Sequence, residues 1–216
     1  MLERIHVMGP YWCDDDPLPT PLGELIAAAK DHHSAAAVTE LREQLSDFAQ
    51  NLAQNLDAPS GAAVTETPRG TLVVPVPNGN GSNRRLVPAL ASAVADATGA
   101  TVREALTRRE TTTRMRDTPL QQRLAVVQAA GYEIEGQVAG HGVVLVDDVV
   151  MTGTTLRYLA RLLRDAGATR VIAVVAAQTR RAGRQVTLTR IGGRAGAQST
   201  STDCRDLGRP GSGTCR

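Results

Sequence analysis

The stretch VVLVDDVVMTGTT, which runs from Val143 to Thr155, joins an apolar run to two adjacent acids and a turn of small residues. Its first part is rich in β-branched residues, so we predict a buried strand over 143–149. The turn Met151–Thr155 opens an amphipathic segment, which predicts a helix over 154–166. A buried strand followed directly by a helix is the beginning of a βαβ unit and indicates an α/β fold.

The same alternation of strands and helices extends over most of the chain. Apolar residues three and four positions apart predict helices, and short apolar runs predict strands. The predicted helices cover 21–30, 35–56, 86–98, 119–130 and 154–166, and the predicted strands cover 71–77, 101–106, 143–149 and 170–177. We therefore predict a parallel sheet with helices on both faces, preceded by a helical N-terminal region of about residues 1–60.

The C-terminal part has a different composition. Residues 183–216 contain seven glycines and almost no apolar periodicity, and residues 178–216 carry eight Arg but two Asp. Such a segment buries too little apolar surface to offset the entropy lost on ordering. We predict one domain over 1–182 and a disordered basic tail over 183–216. A nucleic-acid-binding arm is the alternative, but the tail lacks the aromatic side chains on which bases stack.

Cysteine usage and hydropathy predict the cellular compartment of the protein. Cys13, Cys204 and Cys215 are odd in number and lack a paired CxxC spacing, so we predict neither a zinc module nor a disulfide framework. No run of about 18 apolar residues and no charged-then-apolar N-terminal signal occurs. We predict a cytoplasmic protein without a membrane partner. The sequence leaves the oligomeric state open, a homodimer included.

The opening stretch also predicts a ligand. Ligands of open parallel sheets lie beyond the carboxyl ends of the strands, where Asp147 and Asp148 are expected. The turn Met151, Thr152, Gly153, Thr154 and Thr155 offers backbone N–H groups and hydroxyls at a helix N-terminus, which suits a phosphate. Ribose 5-phosphate satisfies both halves, with its phosphate in the turn and its hydroxyls on the carboxylates. In the alternative interpretation, the acids cap neighbouring loops and the turn is a helix N-cap.

The same arrangement suits chemistry at the anomeric carbon of the sugar. If a diphosphate leaves that carbon, positive charge develops on the ring, and the carboxylates of Asp147 and Asp148 stabilise it electrostatically. We therefore assign both acids as catalytic residues. The charge of the leaving diphosphate requires a divalent cation and backbone donors.

This motif resembles the phosphoribosyl-diphosphate signature of type I phosphoribosyltransferases, and the layout from about Tyr11 to Arg180 resembles the ComF-like branch. The resemblance implies Mg²⁺ bound mainly through the substrate diphosphate, with no direct protein ligand to the metal. It also implies a diphosphate loop and a mobile hood. The implied loop residues are Pro77, Asn78, Gly79 and Arg84, and the implied hood residues are Arg108, Arg109 and Arg114. From the residues alone, Asn78–Gly81 is a flexible turn and Arg84 is equally suited to a solvated helix start.

The sequence departs from the resemblance after the diphosphate loop, where NRRLVPAL stands in place of an Arg-Gly-Phe-Asn-Gln-like stretch, and in two further features, and these departures leave the acceptor unidentified. The cysteine-rich zinc module common in ComF-like proteins is absent from this sequence, and no aromatic residue follows the strand predicted over 170–177. Three function classes follow from these observations. They are an enzyme that transfers phosphoribosyl from phosphoribosyl diphosphate to a nitrogenous acceptor, a non-catalytic phosphoribosyl-diphosphate-binding or ComF-like accessory protein linked to DNA uptake, and a basic-tailed DNA-handling module that reuses the fold.

Overall fold

The computed structural model describes residues 2–13, 18–56, 70–77, 85–109 and 118–179. The strands are β1 (Ile5–Pro10), β2 (Thr71–Pro75), β3 (Thr101–Val102), β4 (Leu106–Arg108), β5 (Tyr132–Ile134), β6 (Gly142–Val150) and β7 (Arg170–Gln178). The helices are α1 (Pro21–Lys30), α2 (Ala35–Leu56), α3 (Leu86–Thr98), α4 (Arg123–Ala129) and α5 (Thr154–Asp165). Five strands form a parallel sheet in the order β1-β7-β6-β2-β3, and β4 pairs with β5 in a separate antiparallel sheet.

Helices cover both faces of the parallel sheet. On one face, α1, α2 and α3 pack against side chains of β2, β6 and β7, among them Val73, Val144 and Val174. On the other face, α5 and the β4–β5 pair pack against the alternate side chains of the same strands, such as Val143 and Val175. The predicted α/β fold class is confirmed. Among the described helices, none combines the length and the apolar character needed to cross a membrane.

Strand β6 holds the centre of the sheet. It pairs in parallel with β2 on one side and with β7 on the other, which explains its nearly continuous apolar sequence. Strand β2 ends at Pro75, whose Cα lies opposite Val146, and β1 ends at Pro10, opposite Gln178. The carboxyl ends of β1, β2, β6 and β7 therefore meet at one edge of the sheet, and the candidate site lies there.

Most predicted elements occur at the predicted positions, and three differ. The predicted strand over 101–106 is wrong, because a turn at Arg103–Ala105 separates β3 from β4, which pairs elsewhere. The predicted helix over 119–130 begins as a 3-10 turn at Leu120–Gln122 and becomes α-helical at Arg123. The N-terminal region is helical over 21–30 and 35–56, but it opens with a strand, β1, that the sequence pattern did not predict.

The predicted tail over 183–216 lies outside the described residues, as does the end of the domain predicted over 1–182. Both remain predictions. The described part of the domain ends at Thr179, directly after β7.

His6 makes the stability of this fold dependent on pH. The side chain lies on β1, is 1% exposed, and its Nδ1 has no hydrogen-bond partner among the described residues. Burial, together with the charges of Arg4 and Arg170, lowers the pKa of His6 to about 4. A histidine that is buried in its neutral form stabilises the fold above its unfolded pKa, and this stability is lost as the pH falls.

We expect the free energy of unfolding to fall between pH 6.5 and pH 4 by about 3 kcal/mol through His6, since one pKa unit corresponds to about 1.4 kcal/mol. The variant His6→Leu should lose this part of the acid dependence while keeping the part that comes from carboxylates. Denaturant titrations of both proteins across this pH range measure the difference. Parallel pH profiles for the two proteins would contradict the assignment.

Candidate active site

The phosphate turn predicted from the sequence lies at the carboxyl edge of the sheet, between β6 and α5. Gly153 is the N-cap of α5 and has φ 72°, a left-handed conformation that favours glycine. No side chain caps the helix, so the first-turn N–H groups of α5 are not satisfied by a cap. The hydroxyls of Thr152 and Thr154 lie 2.9 Å apart and hydrogen bond to each other. The turn therefore presents hydroxyl and N–H donors at a positive helix end.

The two acids of the motif have different surroundings. Successive side chains of a strand point to opposite faces, so Asp147 shares the α5 side with Val143 and Leu145, whereas Asp148 shares the α1 side with Val144 and Val146. Asp147 is partly exposed and lines a cavity next to the turn. Asp148 is 3% exposed and is not one of the cavity-lining residues.

Lys30, the last residue of α1, pairs with Asp148. Its Nζ lies 2.5 Å from Asp148 Oδ2, and the other carboxylate oxygen of Asp148 accepts a hydrogen bond from the N–H of Val149 at 2.7 Å. Burial alone would lower the pKa of Lys30, but the carboxylate of Asp148, followed by Asp147 and Asp31, outweighs this effect and the pKa is raised. Lys30 is therefore cationic at neutral pH.

A cavity of about 230 Å³ brings these groups together. Its wall combines the turn with one acid, Asp147, and two cations, Lys30 and Arg123. Arg123 is the first residue of α4, is 1% exposed, and donates a hydrogen bond from Nε to the carbonyl of Thr118 at 3.1 Å. The remaining wall is formed by Val149, Val150, Leu156 and Thr179. The cavity thus offers donors and positive charge at one end and a carboxylate beside them.

The carboxyl group of Asp147 is electrostatically strained in this position. Burial raises its pKa, the neighbouring Asp148 raises it further, and Lys30 counteracts the shift. The N–H of Asp148 donates a hydrogen bond to Asp147 Oδ1 at 2.9 Å, which also favours the ionised form. A group held in such a state gains from a ligand that donates hydrogen bonds to it.

Two of the three predicted hood residues, Arg108 and Arg109, do not line the cavity. Arg108 lies over the ring of Tyr132, with its guanidinium carbon 5.6 Å from the ring centroid. Arg109 forms an exposed ion pair with Glu133, with Nη2 2.5 Å from Oε1. Both interactions tie β4 to β5. Arg114 lies outside the described residues.

The predicted diphosphate loop follows β2 at the same sheet edge. Pro77 lies two residues beyond the last residue of β2, and the N–H of Val76 still donates to the carbonyl of Val146 at 2.9 Å. The chain therefore leaves β2 alongside β6, next to the acid pair. Asn78, Gly79 and Arg84 lie outside the described residues.

Lys30 and Arg123 are the charged residues of the cavity wall that sequence reasoning missed. For Arg123 a signal existed, since it lies four residues before Val127 and therefore on the same face of an apolar helix. For Lys30 no local signal existed, because a basic residue in the last turn of a helix is usual on a solvated surface. Its role depends on where α1 packs.

Magnesium has no preformed protein site in the described part of the chain. No group of three or more His, Cys, Asp or Glu side chains lies close enough there to hold a metal ion. Asp147 and Asp148 point to opposite faces of β6, and Asp148 already pairs with Lys30. Among the described residues, the side chains at this edge of the sheet do not fit a protein-bound metal centre.

Comparison with known proteins adds a family match and several structural similarities. The family model described as "Phosphoribosyl transferase domain" matches residues 71–189. The chain is similar to glutamine phosphoribosylpyrophosphate amidotransferase from B. subtilis (26% identity, 61% of this chain and 25% of that chain covered, TM-score 0.37). It is also similar to hypoxanthine phosphoribosyltransferases from Staphylococcus aureus (13%, 68% and 71%, 0.41) and Trypanosoma cruzi (18%, 70% and 74%, 0.43). The matched region thus spans a quarter of the amidotransferase. No curated protein matches the sequence.

We expect the substitutions Asp147→Asn and Asp148→Asn, which make the same chemical change, to have opposite effects on stability. Asp147→Asn removes a charge whose ionisation the fold disfavours, so its melting temperature at neutral pH should equal or exceed that of the wild type. Asp148→Asn leaves Lys30 without its carboxylate partner and should cost about 1–3 kcal/mol. Thermal denaturation at neutral pH compares the three proteins.

A second series at lower pH tests the cause. The folded-state pKa of Asp147 is raised, so Asp147 in the folded wild type takes up a proton as the pH falls through that pKa. The stability advantage of Asp147→Asn over the wild type should therefore shrink over the same pH range. Equal destabilisation by both substitutions would show that the acids are equivalent strand-end caps.

Proposed function

The chain belongs to the phosphoribosyl transferase domain family, and we propose that it binds phosphoribosyl diphosphate and transfers the phosphoribosyl group to a nitrogenous acceptor with release of diphosphate. The observation that carries this proposal is the cavity in which the turn Met151–Thr155, Asp147 and two cations meet. A sugar phosphate needs donors for its phosphate and an acceptor for its hydroxyls, and this cavity offers both.

The 5′-phosphate is assigned to the turn before α5. The uncapped N-terminus of this 12-residue helix and the hydroxyls of Thr152 and Thr154 supply its donors. Arg157 donates from Nη1 to the carbonyl of Thr152 at 2.7 Å, which adds a positive charge beside the turn. Together these groups favour a dianion at the helix end.

Asp147 is assigned to the ribose. Its carboxylate accepts hydrogen bonds from the ring hydroxyls and stabilises the positive charge that develops on the ring as the bond between the anomeric carbon and the diphosphate oxygen breaks. The electron pair of that bond leaves with the diphosphate, and the acceptor nitrogen forms the new bond to the anomeric carbon. The sequence predicts that Asp148 shares this role. Because Asp148 forms an ion pair with Lys30, we propose that it acts on the ligand through that lysine.

The leaving diphosphate is assigned to the segment that follows Pro77, with Asn78, Gly79 and Arg84 as its binding residues. This proposal is supported by the position of β2 next to β6, which brings the end of β2 to the acid pair. A divalent cation such as Mg²⁺, bound to the diphosphate, would supply the positive charge that neutralises this leaving group. Arg114 and its neighbours are proposed to exclude water when the site closes, since water would otherwise capture the ring cation.

The ComF-like placement is a finer proposal, supported by the order of motifs from about Tyr11 to Arg180. A ComF-like accessory protein would bind phosphoribosyl diphosphate in the same cavity without consuming it. An assay of magnesium-dependent diphosphate release with a panel of nitrogenous acceptors separates the two proposals, because binding alone releases no diphosphate.

We expect phosphoribosyl diphosphate with magnesium to bind the full-length protein, and ribose 5-phosphate to bind more weakly because it lacks the diphosphate contacts. Thr154→Val should weaken both ligands by about tenfold or more, since a hydrogen bond to a charged group is worth about 1.5–3 kcal/mol. Isothermal titration calorimetry measures these affinities.

Thr39→Val is the matched control, because Thr39 lies on α2, donates to the carbonyl of Ala35, and is absent from the cavity wall. It removes the same hydroxyl and should leave both affinities unchanged. The proposal is wrong if the folded wild-type protein gives no heat with either ligand, or if both threonine variants bind equally well.

A further inference from the structure

Lys30 is unusual in the composition of this chain. The sequence contains 24 Lys and Arg residues, and Lys30 is the only lysine among them. Arginine is more weakly hydrated and forms a broad planar fork, whereas lysine is a compact point charge with three rotatable donors. All of the remaining Lys and Arg residues are arginines. The single lysine lies where a side chain enters the wall of the candidate site.

The helix that carries Lys30 is fixed at the ligand-binding edge of the sheet. Thr20 Oγ1 accepts a hydrogen bond from the N–H of Gly23 at 3.0 Å and donates to the carbonyl of Pro10 at 2.7 Å. A Cβ atom at Gly23 would lie 2.2 Å from the carbonyl oxygen of Tyr11, so the helix start packs directly on the backbone that follows β1. Tyr11 in turn donates its N–H to the carbonyl of Gln178 at 2.9 Å. These contacts tie α1 to the ends of β1 and β7.

The ammonium group of Lys30 lies between a buried acid and the cavity. Its side chain is 29% exposed, against 5% for the side chain of Asp148. Lys30 lines the cavity and Asp148 does not. The ammonium has three N–H donors and contacts one oxygen of Asp148, so donors remain for acceptors on the cavity side. The geometry therefore presents the cation, not Asp148, to a ligand.

We propose that Lys30 is a ligand-binding residue of the site, held by Asp148 and directed at an oxygen atom of the phosphoribosyl ligand beside Asp147. This inference rests on the proposed function and reverses the roles expected for the pair, because Asp148 becomes a positioning residue. It also places part of the site outside the matched residues 71–189, since α1 precedes them.

Charge balance supports this assignment. The cavity wall contains Asp147, and a sugar phosphate adds further negative charge next to it. Asp148 pairs with Lys30, one of the two cations of the wall, and the other cation, Arg123, lies on α4. A cation beside Asp147 lowers the repulsion that the carboxylate would otherwise exert on the phosphate groups of the ligand, and this effect is strong in a partly buried cavity.

The single lysine makes a direct test available. Full-length protein produced with ¹³C,¹⁵N-lysine gives side-chain NMR signals from Lys30 alone, and Lys30→Arg confirms the assignment by removing them. We expect phosphoribosyl diphosphate with magnesium to shift the Nζ and Cε signals of Lys30 in step with the binding measured by calorimetry. In Asp148→Asn, the labelled ammonium should titrate at lower pH than in the wild type. Burial lowers the pKa of Lys30, and this variant lacks the carboxylate that counteracts that effect most strongly.

Affinities of matched variants test the assigned roles. Lys30→Met should weaken phosphoribosyl diphosphate by about ten- to a hundredfold, and Lys30→Arg should retain part of the affinity. Arg161→Met, which removes an exposed cation of α5 outside the cavity, should bind like the wild type. The double variant Lys30→Met/Asp148→Asn should bind like Lys30→Met alone, because Asp148 acts through Lys30.

Several results would overturn the inference while leaving the proposed function intact. One is wild-type binding with unshifted lysine signals and with Lys30→Met affinity within about twofold of the wild type. Another is a double variant that binds as weakly as Asp148→Asn and much more weakly than Lys30→Met, which would make Asp148 the ligand contact. Absence of any binding by the folded wild-type protein would overturn the proposed function itself, and the inference with it.

Discussion

The parallel pairing of β6 with both of its neighbours is the constraint on which the site depends. Because β2 and β7 pair with β6 along the same direction, the strand ends, the acid pair and the start of α5 all reach one edge of the sheet. The pleat of β6 then separates adjacent side chains onto opposite faces, so two neighbouring acids enter two different environments. Asp147 enters the cavity, and Asp148 enters the layer of helices that contains Lys30.

This separation gives the acids different physical tasks. Asp148 is neutralised by a cation from α1 and anchors that cation at the cavity wall. Asp147 is half-buried next to a second carboxylate, and both effects disfavour its charge in the absence of a ligand. The fold tolerates this cost because the turn, Lys30 and Arg123 surround it with donors and positive charge. A strained carboxylate at a binding site is a common arrangement, since the ligand supplies the hydrogen bonds that the protein withholds.

Sequence reasoning predicted the parallel sheet, its helices and the turn because periodicity and Gly-Thr chemistry are local signals. It missed β1, whose six residues include a buried histidine and end in Gly-Pro, since β7 rather than local pattern stabilises that strand. It also assigned the same catalytic role to Asp147 and Asp148, although the two-residue period of a strand already predicts that adjacent side chains lie on opposite faces of the sheet. Lys30 was beyond local reasoning, because its position depends on how Gly23 packs against the backbone of Tyr11.

A crystal structure of the full-length protein with ribose 5-phosphate tests the central claim most directly. We predict that the phosphate binds at the N-terminus of α5, in contact with the hydroxyl of Thr154, and that the ribose hydroxyls bind Asp147. A ligand phosphate bound away from this turn, or ribose hydroxyls that do not contact Asp147, would contradict it.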